Sequence, residues 1–199
     1  YYLGDVVEQS YEEAFKWLKL AADQGFAEAQ FRLGLMYYNG ESVEQSYEEA
    51  FKWYKLAADQ GNAKAQYNLG VMYHEGEGVE QSYEEAFKWF KLAADQGLAE
   101  AQFNLGLMYY KGEGLEQSYE EAFKWFKLAV DQGDKDAQYN LGVMYDKGHG
   151  VEQDYEEAFK WYKLAADQGD KDAQFRLGKM YYYGEGIDCA DYNKALEWF

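Results

Sequence analysis

Three asparagines that stand 36 residues apart are the side chains best suited to recognising another molecule. They are Asn68, Asn104 and Asn140, and Arg32 and Arg176 take the same repeat position on either side; these five residues are called the asparagine row. A side-chain amide both donates and accepts hydrogen bonds, so the row could pair with a peptide backbone without reading the partner's side chains. If equivalent helices lie about 10 Å apart, three residues of extended peptide, at about 3.3 Å each, match one repeat step. The alternative is that the amides bond to neighbouring backbone, or to the adjacent repeat, and fix the stack.

Groups that could catalyse a reaction or hold a metal are few, and none forms a recognisable site. His74 and His149 occupy different repeat positions and have no cysteine at ligand spacing, which argues against a metal. Cys189 has no histidine near it in the sequence and is interpreted as a small loop residue rather than a nucleophile. The carboxylates Glu48 and Glu49 recur in every copy at a helix start, where capping and the helix dipole account for them. We therefore expect no catalytic residue, no metal site and no cofactor, and predict that the chain is not an enzyme.

The elements that carry these residues come from a repeat of 36 residues. The phrase EQSYEEAFKW at 8–17 returns unchanged at 44, 80 and 116, and at 152 with Asp154 in place of serine. Each repeat is too short to bury its own apolar face, so it must pack on its neighbours in a stacked array. We predict one solenoid over residues 1–199, with about five and a half repeats: 27–62, 63–98, 99–134 and 135–170, and partial units at 1–26 and 171–199.

The first predicted helix of each repeat is apolar on most of its surface. In residues 46–61 it begins at Ser46, and Glu49 follows three residues later, a reciprocal capping box that satisfies the first free N–H groups. Gly61 stands where a left-handed residue can end the helix. Leu56 and the other apolar side chains leave only a narrow polar stripe, so we expect this helix to be packed on most sides.

The second predicted helix carries a glycine in its middle. It spans about residues 63–75 and begins again at 27, 99, 135 and 171, with Gly70 or its equivalent in each copy. A glycine in this position costs about 1 kcal/mol relative to alanine. We expect close backbone approach between the two helices to offset that cost, with Ala50 and Ala57 facing the glycine.

The connection to the next repeat is a loop of turn residues. The copy HEGEGVEQ at 74–81 contains Gly76 and Gly78, and Val79 is its one apolar residue, which we expect to pack into the core. A phosphate-binding loop would need a strand before it, and the sequence has no strand pattern and no proline.

The charge of the chain restricts its partners. Lys and Arg number 19 against 37 Asp and Glu, which gives a formal net charge of −18. Repeated carboxylates about 10 Å apart lie near the Debye length, so added salt should stabilise the protein. Binding to phosphates gains from cations that displace counterions, and this chain offers carboxylates instead, so nucleic acid and anionic lipid are not expected as partners. Neutral or basic peptides fit better.

Cysteine content and hydropathy leave the localisation unknown. The single cysteine, Cys189, excludes a disulfide within the chain and does not indicate a redox compartment. No apolar run approaches the ~20 residues of a membrane span, so we expect no membrane insertion. No signal peptide is visible, although the sequence starts inside a repeat and a leader could have preceded it.

The repeat also resembles a known family. The string AKAQYNLGVMY at 63–73, followed by Ala86 and by Ala93 and Ala94, resembles the tetratricopeptide superfamily. The 36-residue spacing, the AADQG ending, the LG pair and the GEGV loop resemble its Sel-one-like repeat (SLR) branch, over essentially all 199 residues. The resemblance implies an all-α, right-handed α/α superhelical solenoid of helix-turn-helix repeats, in which the LG helix lines the concave wall.

On that implied geometry, four positions of each LG helix and the asparagine row form a ligand-binding groove. The candidate groove residues are Phe31, Arg32, Leu35, Tyr38, Tyr67, Asn68, Val71, His74, Phe103, Asn104, Leu107, Tyr110, Tyr139, Asn140, Val143, Asp146, Phe175, Arg176, Lys179 and Tyr182. Copies of the repeat disagree most at these positions, which argues that they are not interior. The aromatic residues could still serve inter-repeat packing. Relatives that clasp a carboxylate terminus use Asn and Arg at the row position, but their partnering Lys and Asn are replaced here by aromatics and Val or Leu.

The preferred hypothesis is a scaffold or adaptor whose groove binds an extended peptide or a partner protein, with roughly micromolar affinity. One alternative is glycan binding, in which the rings stack on sugars and the asparagines bond to hydroxyls. The other is a spacer or assembly segment of a longer array. Tyr1 would lie within an LG helix, and Trp198 and Phe199 within a helix of the other kind, so apolar ends could drive head-to-tail self-association.

Overall fold

The computed structural model describes residues 11–198, and these residues form eleven α-helices and no strand. The odd-numbered helices, which carry the YEEAFKW motif in α1 to α9, are called A helices, and the even-numbered ones are called LG helices. In chain order they are α1 Tyr11–Asp23, α2 Ala27–Asn39, α3 Tyr47–Asp59, α4 Ala63–Glu75, α5 Tyr83–Asp95, α6 Ala99–Lys111, α7 Tyr119–Val130, α8 Lys135–Lys147, α9 Tyr155–Asp167, α10 Lys171–Tyr183 and α11 Tyr192–Trp198. The predicted helix over 63–75 and its four equivalents are confirmed. The predicted open ends at Tyr1 and Phe199 lie outside the described residues.

The start of the A helix confirms half of the predicted capping box. The Ser46 hydroxyl accepts a hydrogen bond from the Glu49 backbone N–H at 3.2 Å. The reciprocal half was wrong, because the Ser46 N–H donates to the Tyr37 carbonyl oxygen at 2.9 Å and the Glu49 carboxylate accepts from Lys52. The cap therefore ties the A helix to the preceding LG helix. Gly61 has φ +88° and ends the segment as predicted.

The loop after each LG helix is fixed by glycines and by one apolar residue. Gly76 has φ +76°, and its N–H donates to the Met72 carbonyl oxygen at 2.8 Å. Gly78 passes so close to the start of α3 that a Cβ there would lie 2.5 Å from the carbonyl group of Tyr47. Val79 is partly buried against the neighbouring core, as predicted. The loop thus packs back onto the preceding A helix.

The chain divides into two compact units, Tyr1–Leu98 and Ala99–Phe199. In the first unit, α2 packs against α3 and α4 against α5, more extensively than α1 packs against α2 or α3 against α4. In the second unit, α6 pairs in the same way with α7, and α8 with α9. The LG helices α2, α4, α6 and α8 therefore pack mainly on the A helix that follows them, whereas α10 packs equally on α9 and α11. The buried core of each unit consists largely of alanine, leucine and methionine, with one ring from each of α3, α5, α7 and α9.

The mid-helix glycines receive that ring. A Cβ on Gly70 would lie 2.5 Å from Cδ1 of Phe90, and one on Gly34 would lie 2.5 Å from Cδ1 of Tyr54. The glycine does permit a close contact, but the predicted approach of the two helix backbones was wrong, and so was the predicted partner. The expected neighbours Ala50 and Ala57 belong to the preceding A helix, whereas the contact is with the aromatic side chain of the following one. Packing of a whole ring against bare backbone offsets the intrinsic cost of glycine.

A row of buried glutamines also links successive repeats, and the sequence reasoning missed it. Gln66 donates to the Ala58 carbonyl oxygen at 3.1 Å and accepts from the Gln96 side chain at 2.6 Å. The same side-chain pair recurs as Gln102 with Gln132 in the second unit. Because each buried amide spans the ends of two A helices, these bonds fix the register of the repeats.

Among residues 11–198, no helix combines the length and the hydropathy needed to cross a membrane.

Candidate functional site

The twenty predicted groove residues all lie on LG helices, and most are partly buried. Sixteen have intermediate exposure, Phe31 is buried, and Arg32, Phe175 and Tyr182 are exposed. The set is called the groove face below. Its intermediate burial means that each side chain contacts the fold on one side and remains accessible on another.

The first aromatic residue of an LG helix packs on the A-helix ring that lies against the mid-helix glycine. Tyr67 lies 5.7 Å from Phe90 and Tyr139 lies 5.7 Å from Tyr162, in both cases between ring centroids, and the pairs are tilted. Inter-repeat packing therefore accounts for part of each ring. The remaining edge is accessible for Tyr67 and Tyr139, whereas Phe31 is 8% exposed.

In α2 and α6, the last groove position contacts the loop of the following repeat. The Tyr38 hydroxyl donates to the Glu77 carboxylate at 2.7 Å, and the Tyr110 hydroxyl lies 2.9 Å from Nδ1 of His149. Burial, followed by the hydrogen bond to Glu77, raises the pKa of Tyr38 above its usual value, so this phenol stays protonated. These side chains line the groove face and brace it at the same time.

The asparagine row does not behave as one set. Asn104 donates to the Glu100 carbonyl oxygen at 2.9 Å, and Asn140 makes the same bond one turn back in its own helix at 2.8 Å. The two arginines of the row are ion-paired, Arg32 with Glu28 and Arg176 with Asp146. The alternative, that side chains of the row bond within the fold, thus describes Asn104, Asn140, Arg32 and Arg176.

Asn68 is the exception, because its amide makes no hydrogen bond of standard geometry within the part of the chain that the structure describes. Its side chain lies beside the Tyr54 hydroxyl. Of the row, Asn68 alone has its amide beside a buried hydroxyl instead of in a bond to its own helix or in an ion pair.

Asn68 forms one wall of a cleft of about 210 Å³ between α2, α3 and α4. The lining residues are Leu35, Tyr38, Asn39, Tyr54, Tyr67, Asn68 and Val71. Five of these belong to the predicted groove face. Asn39 and Tyr54 were not predicted to be groove residues.

Tyr54 forms the floor of this cleft and is completely buried. Its hydroxyl has no hydrogen-bond partner of standard geometry within residues 11–198, although the Asn68 amide lies beside it. Burial raises the pKa of Tyr54 above its usual value, with a smaller opposing effect of the Asn68 amide, so the hydroxyl is a neutral donor and acceptor. A signal existed in the sequence, since this position alternates between Tyr54 and Tyr162 on one hand and Phe90 and Phe126 on the other.

The hydroxyl of the equivalent tyrosine in the second unit has a hydrogen-bond partner. The Tyr162 hydroxyl donates to Oδ2 of Asp146 at 3.2 Å, and Nη2 of Arg176 donates to the same oxygen at 2.8 Å. An ion pair therefore stands beside Tyr162, at the positions that Tyr38 and Asn68 take beside Tyr54.

Other reactive groups do not assemble into a site. No cluster of His, Cys, Asp and Glu within residues 11–198 could hold a metal. His149 stacks on Tyr119 with 4.3 Å between ring centroids, and Cys189 is an exposed free thiol.

The outer surface of the A helices is less packed than expected. Leu56 is 47% exposed, so the prediction that the A helix is packed on most sides was wrong at this position. The same position is exposed in the other copies: Leu20, Leu92, Leu128 and Leu164.

The repeat matches the model of a known protein family. The Sel1 repeat model matches residues 1–26, 27–62, 63–98, 99–134, 135–170 and 171–199. No curated protein matches the chain.

Solved structures include two similar proteins. A protective antigen of uropathogenic Escherichia coli with an SLR fold superposes with a TM-score of 0.94 at 41% identity, over 99% of this chain and 42% of the antigen. This chain thus spans less than half of that protein. A Sel1 repeat protein from Oxalobacter formigenes gives a TM-score of 0.89 at 38% identity, over 95% of this chain and 77% of that one. Cysteine-rich protein B of Helicobacter pylori, at 21% identity and a TM-score of 0.51 over 67% of this chain and 96% of its own, shares the fold alone.

With matches to the repeat along its whole length, the chain belongs to the Sel1 repeat family and has the all-α helical-repeat solenoid fold of the tetratricopeptide-like superfamily.

Proposed function

We propose that this chain is a non-catalytic scaffold that binds an extended segment of a partner protein on its groove face. Sel1 repeat proteins generally act as protein-interaction scaffolds. The observation that carries the proposal is the cleft of the first unit, where the half-buried Asn68 amide lies beside a Tyr54 hydroxyl that has no hydrogen-bond partner of standard geometry among residues 11–198. Buried polar groups without partners are uncommon in folded proteins, and a ligand is one reason to keep them.

The chemistry of the groove face favours a peptide that lies across LG helices. Half-buried rings such as Tyr67 are rigid amphipathic anchors, and the Asn68 amide can bond to a peptide backbone. Anchors of this kind are worth about 2 kcal/mol each, so a few of them give roughly micromolar affinity after the cost of association.

The charge of the chain selects among peptides. With a net charge of −18, the protein attracts basic segments and repels acidic ones. We expect association with a basic peptide to slow as salt is added, because the long-range attraction is screened.

Selection from a library of random peptides displayed against the immobilised protein tests the proposal. Enriched peptides are then titrated by calorimetry against the parent and against Asn68→Ala and Asn104→Ala. Asn104 is the matched control, because its amide is bonded within its own helix. We expect Asn68→Ala to weaken binding about fivefold or more and Asn104→Ala to change it little. Failure to enrich any peptide would contradict the proposal, as would equal effects of the two variants.

Glycan binding is a second candidate, favoured by one surface. Tyr182, Tyr183 and Tyr192 are 49%, 63% and 60% exposed, and the ring centroid of Tyr182 lies 5.1 Å from that of Tyr183 and 5.2 Å from that of Tyr192. Exposed rings of this kind can stack on sugars. A glycan array separates the candidates, because binding lost in Tyr183→Ala and kept in Asn68→Ala would favour glycans over peptides.

A further inference from the structure

We propose that the junction between α7 and α8 is a weak joint, at which the repeats 99–134 and 135–170 separate transiently while each keeps its own fold. The joint comprises residues 127–138 and lies wholly within the second unit. Interactions that recur at the ends of the other A helices are missing there, within residues 11–198. The proposed function does not enter, since the joint concerns how the second unit moves.

The second unit contains a matched reference for this joint. Residues 127–138 read KLAVDQGDKDAQ, and residues 163–174, at the junction of α9 and α10, read KLAADQGDKDAQ. The two segments cover the same last turn of an A helix, the same loop and the same first turn of an LG helix. They differ at one position, where Val130 stands in place of Ala166. Local differences between the junctions therefore come from this valine or from the helices packed against it.

The end of α7 is shorter than the end of α9. Helix α7 ends at Val130, whereas α9 continues to Asp167, one repeat position further. Lys163 pairs with Asp167 at 3.0 Å, but the equivalent Lys127 and Asp131 form no ion pair in the part of the chain that the structure describes. The same pair is formed in the other A helices, as Lys19 with Asp23, Lys55 with Asp59 and Lys91 with Asp95. An exposed ion pair contributes little by itself, but its loss marks the missing end of the helix.

A buried hydrogen bond across the junction is also missing. In the reference segment, the Gln174 side chain donates to the Ala166 carbonyl oxygen at 3.2 Å. The same bond joins Gln30 to Ala22 and Gln66 to Ala58, each at 3.1 Å. Among the described residues, Gln138 makes no such bond to Val130, although its side-chain oxygen accepts from Gln168 at 2.9 Å. The joint thus lacks a direct bond between the end of α7 and the start of α8.

A contact between successive A helices is missing at the same place. In the first unit, Nζ of Lys19 lies 5.1 Å from the ring centroid of Trp53, and Nζ of Lys55 lies 5.2 Å from that of Trp89. A lysine in one A helix thereby holds the tryptophan of the next. Lys127 and Trp161, which take these positions in α7 and α9, make no such contact within residues 11–198.

The size of Val130 accounts for these losses together. The equivalent residues Ala22, Ala58, Ala94 and Ala166 are each 2% exposed, whereas Val130 is only partly buried. Two further methyl groups need room between helices that are already close-packed, so the helices move apart. Accordingly, α7 packs less extensively on α8 than α3 does on α4 or α9 on α10.

The joint allows movement of one repeat against another. Local opening occurs where buried contacts and hydrogen bonds are few. The helices on either side are held more firmly, because α6 packs extensively on α7, and α8 on α9. Phe103 and Leu107 of the groove face lie on α6, and Tyr139 and Val143 lie on α8. Opening of the joint therefore changes the spacing between these two sets of groove residues.

Two reciprocal variants test the joint. Val130→Ala makes residues 127–138 identical to residues 163–174, and it replaces a β-branched residue by a better helix former. Ala58→Val introduces the valine at the regular junction of α3 and α4 in the first unit. Thermal melting of both variants checks that the fold is kept.

Native-state hydrogen exchange followed by NMR measures the local opening. The reporters are backbone N–H groups that donate to backbone carbonyl oxygens: Gly133, Asp134 and Gln138 in the joint, and Gly61, Asn62 and Gln66 at the regular junction. In the parent protein, we expect protection factors about tenfold lower in the joint, as the loss of a buried hydrogen bond and a lysine–tryptophan contact implies.

The variants should shift this protection in opposite directions. Val130→Ala should raise protection of the joint about tenfold and leave the first unit unchanged, and Ala58→Val should lower protection of the reporters at the regular junction by a similar factor. Equal protection of the two junctions in the parent would overturn the joint, and so would a failure of either variant to change its own junction. A rise shared by every amide of the second unit in Val130→Ala would also overturn it, because the valine would then act on overall stability alone.

Discussion

Removal of one phenolic oxygen should have opposite effects in the two units. Tyr54 and Tyr162 occupy the same repeat position, both are completely buried, and both are replaced by phenylalanine in other copies. They differ in that the Tyr162 hydroxyl donates to Asp146, whereas the Tyr54 hydroxyl has no partner of standard hydrogen-bond geometry in the part of the chain that the structure describes. The pair Tyr54→Phe and Tyr162→Phe therefore isolates the hydrogen bond from the packing of the ring.

The expected changes in the free energy of unfolding follow from the hydrogen-bond partners of the two hydroxyls. A hydrogen bond to a charged group is worth about 1.5–3 kcal/mol, and Asp146 keeps its bond to Arg176 in Tyr162→Phe, so we expect a loss near 1.5 kcal/mol. A buried hydroxyl without a partner costs about 1–3 kcal/mol, so Tyr54→Phe should stabilise the protein by about 1 kcal/mol. The two variants should thus differ by about 2.5 kcal/mol or slightly less.

Urea denaturation followed by circular dichroism and by fluorescence measures this difference. With a slope of about 2 kcal/mol per molar urea, the midpoints of the two variants should lie about 1 M apart, on either side of the parent. Coincident transitions by the two probes are required, because repeat arrays can unfold in parts. Equal destabilisation by both substitutions would refute the claim that the Tyr54 hydroxyl is unpaired.

Three further predictions concern the mid-helix glycine, the net charge and the buried tyrosines. Gly70→Leu should destabilise the protein by about 3 kcal/mol or more, because its side chain would collide with Phe90; an unchanged urea midpoint would refute the close contact. Raising sodium chloride from low to moderate concentration should raise the melting temperature by screening the net charge of −18, and a fall would count against this account. Burial raises the pKa of Tyr54 and of Tyr162 above the unfolded value of 10.0, so their contribution to stability is complete below about pH 10 and is lost as the pH rises further. The urea midpoint should therefore fall from about pH 9 to about pH 11, and a midpoint that stays constant over this range would contradict the burial of these phenols.

The helix boundaries could be predicted from the sequence because the residues that mark them recur in each copy of the repeat. The span 63–75 is fixed by hydrophobic spacing and by Gly76, which ends the helix in the left-handed conformation. The partner of Gly70 could not be predicted in the same way. It depends on whether the helix packs more on the preceding or on the following A helix, and both choices bury similar apolar residues.

The candidate site was harder to predict because its properties arise from combinations of residues. Asn68, Asn104 and Asn140 are identical in sequence position, yet only Asn68 lies beside a buried tyrosine hydroxyl instead of bonding back to its own helix. Whether that hydroxyl is satisfied depends on the residues at 38 and 68, which come from two other helices. Periodicity shows which positions are equivalent, but the pairing of side chains across helices requires coordinates.

The most direct test of the central claim is chemical-shift mapping of a selected peptide on the isotope-labelled protein. The account predicts that the largest changes fall on the groove face and include Leu35, Asn68 and Val71. Changes confined to the exposed leucines of the A helices, such as Leu56 and Leu92, would contradict it, because the partner would then bind the opposite kind of helix.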